Sequence, residues 1–343
     1  MNSVFIVDGS ALTRKILRET IGHSKKFKVG GYVTDADYAL FEIKKNNPDL
    51  IILDIERDSG RGLKFLKDLM EEFPKPVLVI SDHTDDESKM TFEALEAGAI
   101  DFLLKPKNLN LNGRFTDFKE ALVSKLEVAL ESKPKVIENK KKKVIHKFGK
   151  TAKRVVVFGA STGGPSTIKR LFSELPGDLP FTILVVQHMP SGFTRSFAEH
   201  LDKISDFKVK EAEVGEKLVD NTAYICPADY HMSIELDQEM GHSLIQLTLG
   251  ERLHGVRPSL DYLMKSVVPV FGEKVVMVVL TGMGKDGLEG AKLVKAQKGR
   301  VLVESEDSCI IYGMPKAIVD KNLADAVVSL DKLPVSIVQE VEN

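Results

Sequence analysis

Residues 155–172 have the sequence VVVFGASTGGPSTIKRLF, in which an apolar run, a glycine-rich turn and a helical pattern follow one another. The run that ends at Phe158 is rich in valine, which predicts a buried strand. From Ser166 onward apolar residues recur at helical spacing, which predicts a helix with one apolar face: Ile168, Leu171, Phe172 and Leu175. A strand, a tight turn and a helix in this order are the building unit of parallel α/β sheets.

Ser161 stands at the apex of this turn. The segment from Gly159 to Gly163 matches G-x-S-x-G, a pattern that exposes a nucleophilic serine on a strained turn. Its small residues let a substrate carbonyl come close, and the N–H groups at the helix start can stabilise a developing negative charge. Two other roles fit the same segment. The turn could hold a phosphate, although neither common phosphate-binding glycine motif is present, or Ser161 could simply cap the helix.

Two further predicted strands end in residues with acid–base chemistry. The apolar run 181–187 leads directly into His188, and the run 274–280 leads into a glycine-rich loop that contains Asp286. Because the carboxyl ends of parallel strands meet at one edge of a sheet, we expect both residues near Ser161. The three supply a nucleophile, a general base and an orienting acid. Their order in the chain differs from the order Ser, Asp, His of α/β-hydrolases, so an analogy with that fold carries little weight.

In the first 130 residues, short apolar runs alternate with amphipathic segments. This alternation predicts a parallel sheet with helices on both faces. The predicted strands are Val4–Val7, Val29–Val33, Leu50–Leu53, Pro76–Ile80 and Ile100–Leu104. A last helix, 114–130, closes the block. The sequence therefore predicts two doubly wound α/β domains.

Polar residues follow three strands of this first block and end a fourth. Asp8 and Asp54 offer the hard oxygens that a divalent cation prefers. Ser81 and Lys105 offer a hydroxyl and an ammonium group that can bind a phosphoryl group. Asp8 taken alone would more often cap a helix. Together the four side chains predict a site at the carboxyl edge of the sheet.

A strongly basic segment joins the two acidic blocks. Residues 133–154 carry a net charge of +9, whereas 1–132 carry −4 and 155–343 carry −7. A charged segment with few apolar residues is typical of a linker. Lys140–Lys143 could bind a nucleic acid backbone, but no aromatic residues or recognition module accompany it, so we expect no nucleic-acid partner. The predicted domains are 1–130 and 153–343, joined by a linker at 131–152.

Composition narrows the class of protein further. The chain has 343 residues, 43% hydrophobic and 29% charged, which is typical of globular proteins and long enough for two domains. Its two cysteines, Cys226 and Cys309, cannot form a disulfide framework or a structural zinc site. The apolar runs are too short to span a membrane, and the first residues do not have the pattern of a signal peptide. We expect a cytoplasmic protein that is not inserted in a membrane.

The first block resembles the response-regulator receiver domains, which have a flavodoxin-like fold. The resemblance implies that Asp54 is the phospho-acceptor, Ser81 the switch hydroxyl and Lys105 the lysine of the family motif, with Mg²⁺ bound at Asp8 and Asp54. Gly9 departs from the family, which has a second acid there, and the stretch 55–62 also differs from the family pattern. We therefore expect weak Mg²⁺ binding and slow phosphorylation, unless an acid in the stretch after the acceptor, Glu56 or Asp58, replaces the missing ligand.

The second block resembles the catalytic domain of the chemotaxis protein-glutamate methylesterases. A receiver, a basic linker and this domain are also the architecture of that family. The matching segments are GASTGGPS (159–166), VVQHMPSGFTRSFAEHL (185–201), ICPADYHM (225–232), RLHGVRPSLD (252–261), LTGMGKDGLEG (280–290) and YGMPKA (312–317).

This resemblance implies roles for particular residues. Ser161, His188 and Asp286 become a catalytic triad, and the backbone N–H groups of Met283 and Thr162 become the oxyanion hole. Three further residues of the matching segments are interpreted as structural or substrate-facing, and the arginine among them could pair with acidic groups on a receptor: His254, Arg257 and Asp261.

The implied activity is hydrolysis of glutamate γ-methyl esters, with deamidation of glutamines, on the cytoplasmic helices of methyl-accepting chemotaxis receptors. Catalysis would need no cofactor, and a chemotaxis histidine kinase would phosphorylate the receiver and so control the activity. Two other hypotheses stay open at this point. The chain could be a signalling adaptor with a degenerate phosphorylation site, or a hydrolase of an unrelated ester.

Overall fold

The computed structural model describes residues 1–55, 60–82, 85–106, 114–132, 151–177 and 179–342, with the backbone alone at 85–88, 114–117 and 131. The chain divides into two compact units, Met1–Glu138 and Asn139–Asn343. Most of the predicted linker, 133–150, lies outside the described residues, as do Glu56 and Asp58.

The first unit contains, among its described residues, a five-stranded parallel sheet in the order β2-β1-β3-β4-β5. Its strands are β1 (Asn2–Val7), β2 (Phe27–Val33), β3 (Leu50–Asp54), β4 (Val77–Ser81) and β5 (Asp101–Leu104). Its helices are α1 (Ala11–Gly22), α2 (Ala39–Asn46), α3 (Arg61–Glu72), α4 (Asp85–Glu96) and α5 (Arg114–Glu131), with a 3-10 turn at Ala36–Tyr38. The predicted parallel α/β fold is confirmed.

Burial explains why these segments form strands. Every residue of β3 and β4 is buried, because helices lie on both faces of the sheet, and such strands are uninterrupted apolar runs. Helix α1 begins after Ser10, whose hydroxyl accepts a hydrogen bond from the Thr13 N–H at 3.3 Å. Helix α2 ends at Asn47, which adopts a left-handed conformation with φ of 44°.

In the second unit, the described residues form a seven-stranded parallel sheet in the order β14-β13-β12-β6-β7-β9-β8. The strands are β6 (Val155–Ala160), β7 (Thr182–Gln187), β8 (Lys208–Glu211), β9 (Thr222–Ile225), β12 (Val275–Val279), β13 (Arg300–Glu304) and β14 (Ala326–Val328). The helices are α6 (Gly164–Glu174), α7 (Thr194–Asp202), α8 (Leu260–Phe271), α9 (Leu288–Ala296), α10 (Met314–Val319) and α11 (Leu333–Glu342). None of the helices in the described part of the chain has the length and hydropathy needed to cross a bilayer.

Strand β6, the first of this sheet in the chain, lies at its centre. The chain continues from β6 to β7 on one side and returns later to β12 on the other side. Ala160 pairs with Gln187 of β7, and Gly159 pairs with Val279 of β12, so the three strands end nearly level. A sheet edge where the strand order reverses is where parallel α/β proteins bind ligands.

An antiparallel hairpin, β10 (His231–Asp237) and β11 (His242–Thr248), stands apart from the parallel sheet and was not predicted. It packs against α8, where the Ser266 hydroxyl accepts a hydrogen bond from the Ile234 N–H at 2.9 Å. Polar and apolar residues alternate along β10, and the apolar Met232 and Ile234 are buried.

An aromatic cluster fills one side of the second sheet. Phe172 of α6 packs edge-on against Phe158 of β6, with ring centroids 5.9 Å apart, and against Phe207 at 6.4 Å. All three side chains are fully buried. Edge-to-face contacts of this kind add to the free energy gained from burying the rings.

We expect Phe172→Ala to lower the free energy of unfolding of the second unit by about 3–5 kcal/mol, because the substitution leaves a cavity in a closely packed core. Calorimetry of the full chain measures this, and the transition of the first unit is the internal standard. Leu249→Ala, at a position 63% exposed, is the control and should change stability by less than about 0.5 kcal/mol. Equal effects of the two substitutions would contradict this account of the core.

Candidate active site

Ser161 follows the last residue of β6, and its backbone is fixed by both neighbouring strands. Its N–H donates to the Thr281 carbonyl, just after β12, at 3.1 Å. Its carbonyl accepts from the side-chain amide of Gln187, at the end of β7, at 2.8 Å, and from the Gly164 N–H at 2.9 Å. The position of the serine is therefore set by contacts between strands as well as by the local turn.

Two glycines make room for this turn. A Cβ atom on Gly282 would lie 2.8 Å from the Cβ of Ser161 and 3.0 Å from its backbone nitrogen, so a side chain cannot fit there. Gly163 has a φ of 79°, a conformation that favours glycine. The Thr162 N–H, at the start of α6, has no hydrogen-bond acceptor among the described residues. It is therefore available to bind a negatively charged oxygen next to Ser161.

His188 and Asp286 are brought together from opposite sides of β6. The His188 Nε2 lies 2.9 Å from Asp286 Oδ2, and the His188 N–H donates to the Ala160 carbonyl at 3.0 Å. The imidazole is therefore next to the strand that ends at Ser161. No hydrogen bond joins the Ser161 hydroxyl to His188 in the part of the chain that the structure describes. Because Nε2 faces Asp286, Nδ1 is the ring nitrogen left to accept the serine proton.

The start of helix α8 holds Asp286. Its Oδ2 accepts the Leu260 N–H at 2.7 Å, and its Oδ1 accepts the Ser259 hydroxyl at 2.7 Å and the Asp261 N–H at 3.0 Å. Burial by itself would raise the pKa of Asp286. The hydrogen bond and charge of His188 outweigh it, together with the two N–H donors, and the pKa is lowered. Asp286 is therefore ionised and directed at the imidazole.

Two buried polar residues that support the site were not predicted. Gln187 also donates to the His188 carbonyl at 2.9 Å, so one amide connects the serine turn to the residue that carries the imidazole. Glu304, fully buried at the end of β13, accepts the Thr281 N–H at 2.9 Å. Each of these two residues is the last residue of an apolar strand that lies beside a strand leading to the candidate site. A polar residue at such a position is the sequence signal that could have identified them.

The other residues singled out in the sequence are placed as follows. Met283 follows Gly282 in the loop after β12, and its side chain is 52% exposed. Arg257 donates to the carbonyl oxygens of Leu249 and Gly250, both at 2.7 Å, so its guanidinium holds the local backbone. His254 and Asp261 form a pair with 2.9 Å between Nε2 and Oδ2.

In the first unit, Lys105 and Asp54 form an ion pair at the sheet edge. The Lys105 Nζ lies 2.6 Å and 2.7 Å from the two carboxylate oxygens of Asp54, and 3.5 Å from Asp82 Oδ2. Burial lowers the pKa of Lys105, but the hydrogen bond and charge of Asp54 outweigh it and the pKa is raised. Ser81, fully buried, accepts a hydrogen bond from the Thr91 hydroxyl at 3.0 Å.

Asp8 lies beside this pair with one carboxylate oxygen unsatisfied. Its Oδ1 accepts the Ser10 N–H at 2.6 Å, whereas the buried Oδ2 has no partner among the described residues. Burial, and then the charge of Asp54, raise the pKa of Asp8 to about 7. An unsatisfied buried carboxylate oxygen beside a second carboxylate fits a divalent cation.

The cavity at this site also shows which carboxylates remain when position 9 is a glycine. Asp8, Gly9 and Asp54 line it together with Asp35 and Arg61, whose side chains are paired at 3.5 Å. Gly9 contributes no oxygen from a side chain, so Asp8 and Asp54 are the carboxylates left at the predicted positions. Asp35 was not predicted at this site, because it follows β2, whereas the predicted site residues lie at the ends of the other four strands.

We expect Asp8→Asn to stabilise the first unit at pH 8 by about 1–4 kcal/mol and to have a much smaller effect at pH 5. The pKa of Asp8 is higher in the folded state than in the unfolded state. Folding therefore takes up a proton between pH 4 and 7, and the folded state is destabilised as the pH rises through this window. Calorimetry in EDTA at both pH values measures the difference. Asp37→Asn, at an exposed aspartate, is the control, and a pH-independent effect of Asp8→Asn would contradict the expectation.

Comparisons with known proteins agree with this architecture. Residues 156–337 match the CheB methylesterase family model, and 4–111 match the response regulator receiver domain model. A protein-glutamate methylesterase/protein-glutamine glutaminase of Pyrococcus horikoshii is 38% identical, over 99% of this chain and 93% of that protein. Its counterpart in Thermotoga maritima is 35% identical, over 98% of both chains.

A solved structure is also similar to the second unit. The Thermotoga maritima CheB methylesterase catalytic domain is 38% identical with a TM-score of 0.53, and the match covers 55% of this chain and 98% of that one. Both resemblances stated from the sequence are thereby confirmed. Because a family model matches more than half of its length and relatives align with nearly all of it, the chain belongs to the CheB methylesterase family and carries a response regulator receiver domain at its N-terminal end.

Proposed function

We propose that this protein hydrolyses glutamate γ-methyl esters, and deamidates glutamine side chains, on chemotaxis receptors, with Ser161 as the nucleophile. The observation that carries the proposal is the His188–Asp286 pair, which lies at the strand ends beside the fixed turn of Ser161. Two relatives that align with nearly the whole chain are named for these two activities.

The first half of the reaction forms an acyl-enzyme. Ser161 attacks the ester carbonyl while the Nδ1 of His188 takes its proton, and the ionised Asp286 stabilises the imidazolium that results. The negative charge on the former carbonyl oxygen is bound by the Thr162 N–H, with the Met283 N–H as the second proposed donor. His188 then returns the proton to the leaving methoxide, and methanol departs.

The second half releases the product. Water attacks the acyl-enzyme while His188 accepts a proton from the water. The bond to Ser161 Oγ then breaks, His188 returns the proton to Oγ, and the glutamate side chain of the receptor is released. A glutamine substrate follows the same steps with ammonia as the leaving group. The steps need no cofactor, because the chain's own groups supply the nucleophile, the base and the oxyanion donors.

The receiver domain gives this activity its proposed control. Asp54 would accept a phosphoryl group from a chemotaxis histidine kinase, and Lys105 and Ser81 would bind it. Mg²⁺, held by Asp8 and Asp54, would neutralise negative charge between the carboxylates and the phosphoryl group. We propose a cytoplasmic location, because both proposed partners, the methylation helices of the receptors and the kinase that donates the phosphoryl group, act in the cytoplasm.

We expect Ser161→Ala and His188→Ala to lower methanol release from methylated receptor membranes by at least ~10³-fold, because each removes a group that acts in the chemical step. Calorimetry should show unfolding temperatures close to wild type. Ser173→Ala and His242→Ala, which change the same residue types away from the site, are the controls and should keep full activity. Residual activity within about tenfold of wild type in either site variant would remove that residue from the chemistry.

We expect Gly9→Asp to tighten Mg²⁺ binding about tenfold and to speed phosphorylation of Asp54 by acetyl phosphate, because it restores a carboxylate ligand. Titration calorimetry with Mg²⁺ and the rate of phosphorylation measure the two effects. Gly9→Asn, with a similar shape and no charge, is the control.

The same titrations distinguish a site that lacks one Mg²⁺ ligand from a site in which another residue replaces that ligand. Wild type that binds Mg²⁺ as tightly as Gly9→Asp would show that no ligand is missing. A large loss of affinity in Glu56→Ala would then identify the residue that replaces it.

A further inference from the structure

A second histidine–carboxylate pair lies directly behind the first. Asp261, in the first turn of α8, donates its N–H to Asp286 Oδ1 at 3.0 Å, and its own side chain accepts from His254 Nε2 at 2.9 Å. A ring nitrogen of His254 and one carboxylate oxygen each of Asp261 and Asp286 all lie within 4.8 Å of one another. The catalytic pair and the second pair thus share the start of one helix.

The two carboxylates are buried side by side, so their negative charges destabilise each other. Both side chains are almost completely inaccessible to solvent. Burial raises the pKa of Asp261, and so does the charge of Asp286. The imidazole of His254, whose side chain is 33% exposed, is the hydrogen-bond partner of this second acid on the solvent side.

The local backbone is shaped to present this imidazole. Leu253 and Val256 exchange two backbone hydrogen bonds, at 3.1 Å and 2.9 Å, around the tight turn formed by His254 and Gly255. Both turn residues are left-handed, with φ of 53° and 78°, a turn for which Asn-Gly is the usual sequence. Histidine at the first position is conformationally unfavourable, and its contact with Asp261 offsets that strain.

Asp261 also connects helix α8 to helix α9, which follows the loop that carries Asp286. Its Oδ1 accepts the Gly290 N–H at 2.7 Å, in the first turn of α9, while its backbone belongs to α8. Asp286 precedes α9 by two residues. Asp261 thus contacts both Asp286 and the helix that begins two residues after it.

We propose that His254 and Asp261 are positioning residues that set the charge and orientation of Asp286, and through it the basicity of His188. This inference rests on the proposed function, since His188 must act as the general base. Other charged or titratable groups near the two pairs are Glu289 and Lys285 around α9 and His231 of β10. They stay unchanged in the variants below.

The proposal makes His254 and Asp261 act in opposite directions on the pH dependence. Asp261→Asn removes a negative charge near the imidazolium of His188. The acidic limb of the pH profile of kcat/KM should therefore move to lower pH. His254→Gln removes the imidazole that pairs with Asp261 and so leaves the negative charge of that carboxylate less compensated, and the limb should move to higher pH. We expect shifts of about half a unit to one unit, the size of one charge at this range in a partly screened site. The double variant should return close to the wild-type limb.

The experiment is methanol release by the full chain from methylated receptor membranes between pH 5.5 and 9. We also expect a fall in kcat of about 3–30-fold with KM unchanged, since neither side chain is placed to touch the substrate. His254→Lys, which places a positive charge beside Asp261, should retain the wild-type limb or lower it, and it remains informative if Asp261→Asn fails to fold. His242→Gln is the control for a histidine elsewhere in the unit.

Opposite shifts of the acidic limb in Asp261→Asn and His254→Gln support the proposal. Limbs that stay in place or move in the same direction overturn it, because loss of structural support alone would lower the rate without shifting the limb in opposite directions. Ser161→Ala, measured in parallel, separates this inference from the proposed function. An active Ser161→Ala would refute the proposed function itself. An inactive one with unmoved limbs in the other variants would refute only the role of His254 and Asp261.

Discussion

The start of helix α8 imposes the constraint on which the catalytic unit depends. N–H groups in the first turn of a helix have no partner within the helix, and the positive end of its dipole favours an anion. Here Leu260 and Asp261 direct these groups at Asp286, and the hydroxyl of Ser259 adds a third donor. A buried carboxylate would otherwise tend to be protonated. At this position it is ionised, so it can orient an imidazole and stabilise its charge.

In the receiver domain, the charges of the buried carboxylates are compensated in a different way. Asp54 is compensated by the ammonium group of Lys105, which lies within hydrogen-bond distance of both carboxylate oxygens. Asp8 has no such cation, and one of its oxygens has no partner in the described part of the chain. Asp286 is thus stabilised by His188 and by the start of α8, whereas the receiver keeps one acid whose charge is costly until a cation or a proton arrives. This difference suits a fixed catalytic site and a site that changes state.

Much of the fold and the candidate site could be predicted from the sequence, because both depend on strand ends. The inner strands of a sheet covered on both faces are apolar runs, so the first polar residue after such a run marks the edge, as at Ser161 and His188. The hairpin β10–β11 was missed because its alternating pattern is short and lies outside the parallel sheet. The support of Asp286 by α8 was missed because it joins a loop to a helix start 25 to 27 residues away, and local patterns do not record such contacts.

The order of the three site residues along the chain follows from the order of the strands. Strand β6 is central and leads to Ser161, the proposed nucleophile. Strand β7 lies beside it and leads to His188, the proposed base, and β12 lies on the other side and leads to the loop of Asp286, the proposed acid. The chain completes the β7 side, through β9 and β8, before it returns to β12. The acid must therefore come last, and it approaches the imidazole across the end of the nucleophile strand. The imidazole meets the acid through Nε2, and Nδ1 is left for the serine. The sequence order Ser, His, Asp is thus a consequence of the sheet topology, whereas the ring nitrogen that meets the acid is set by the local contact with Asp286.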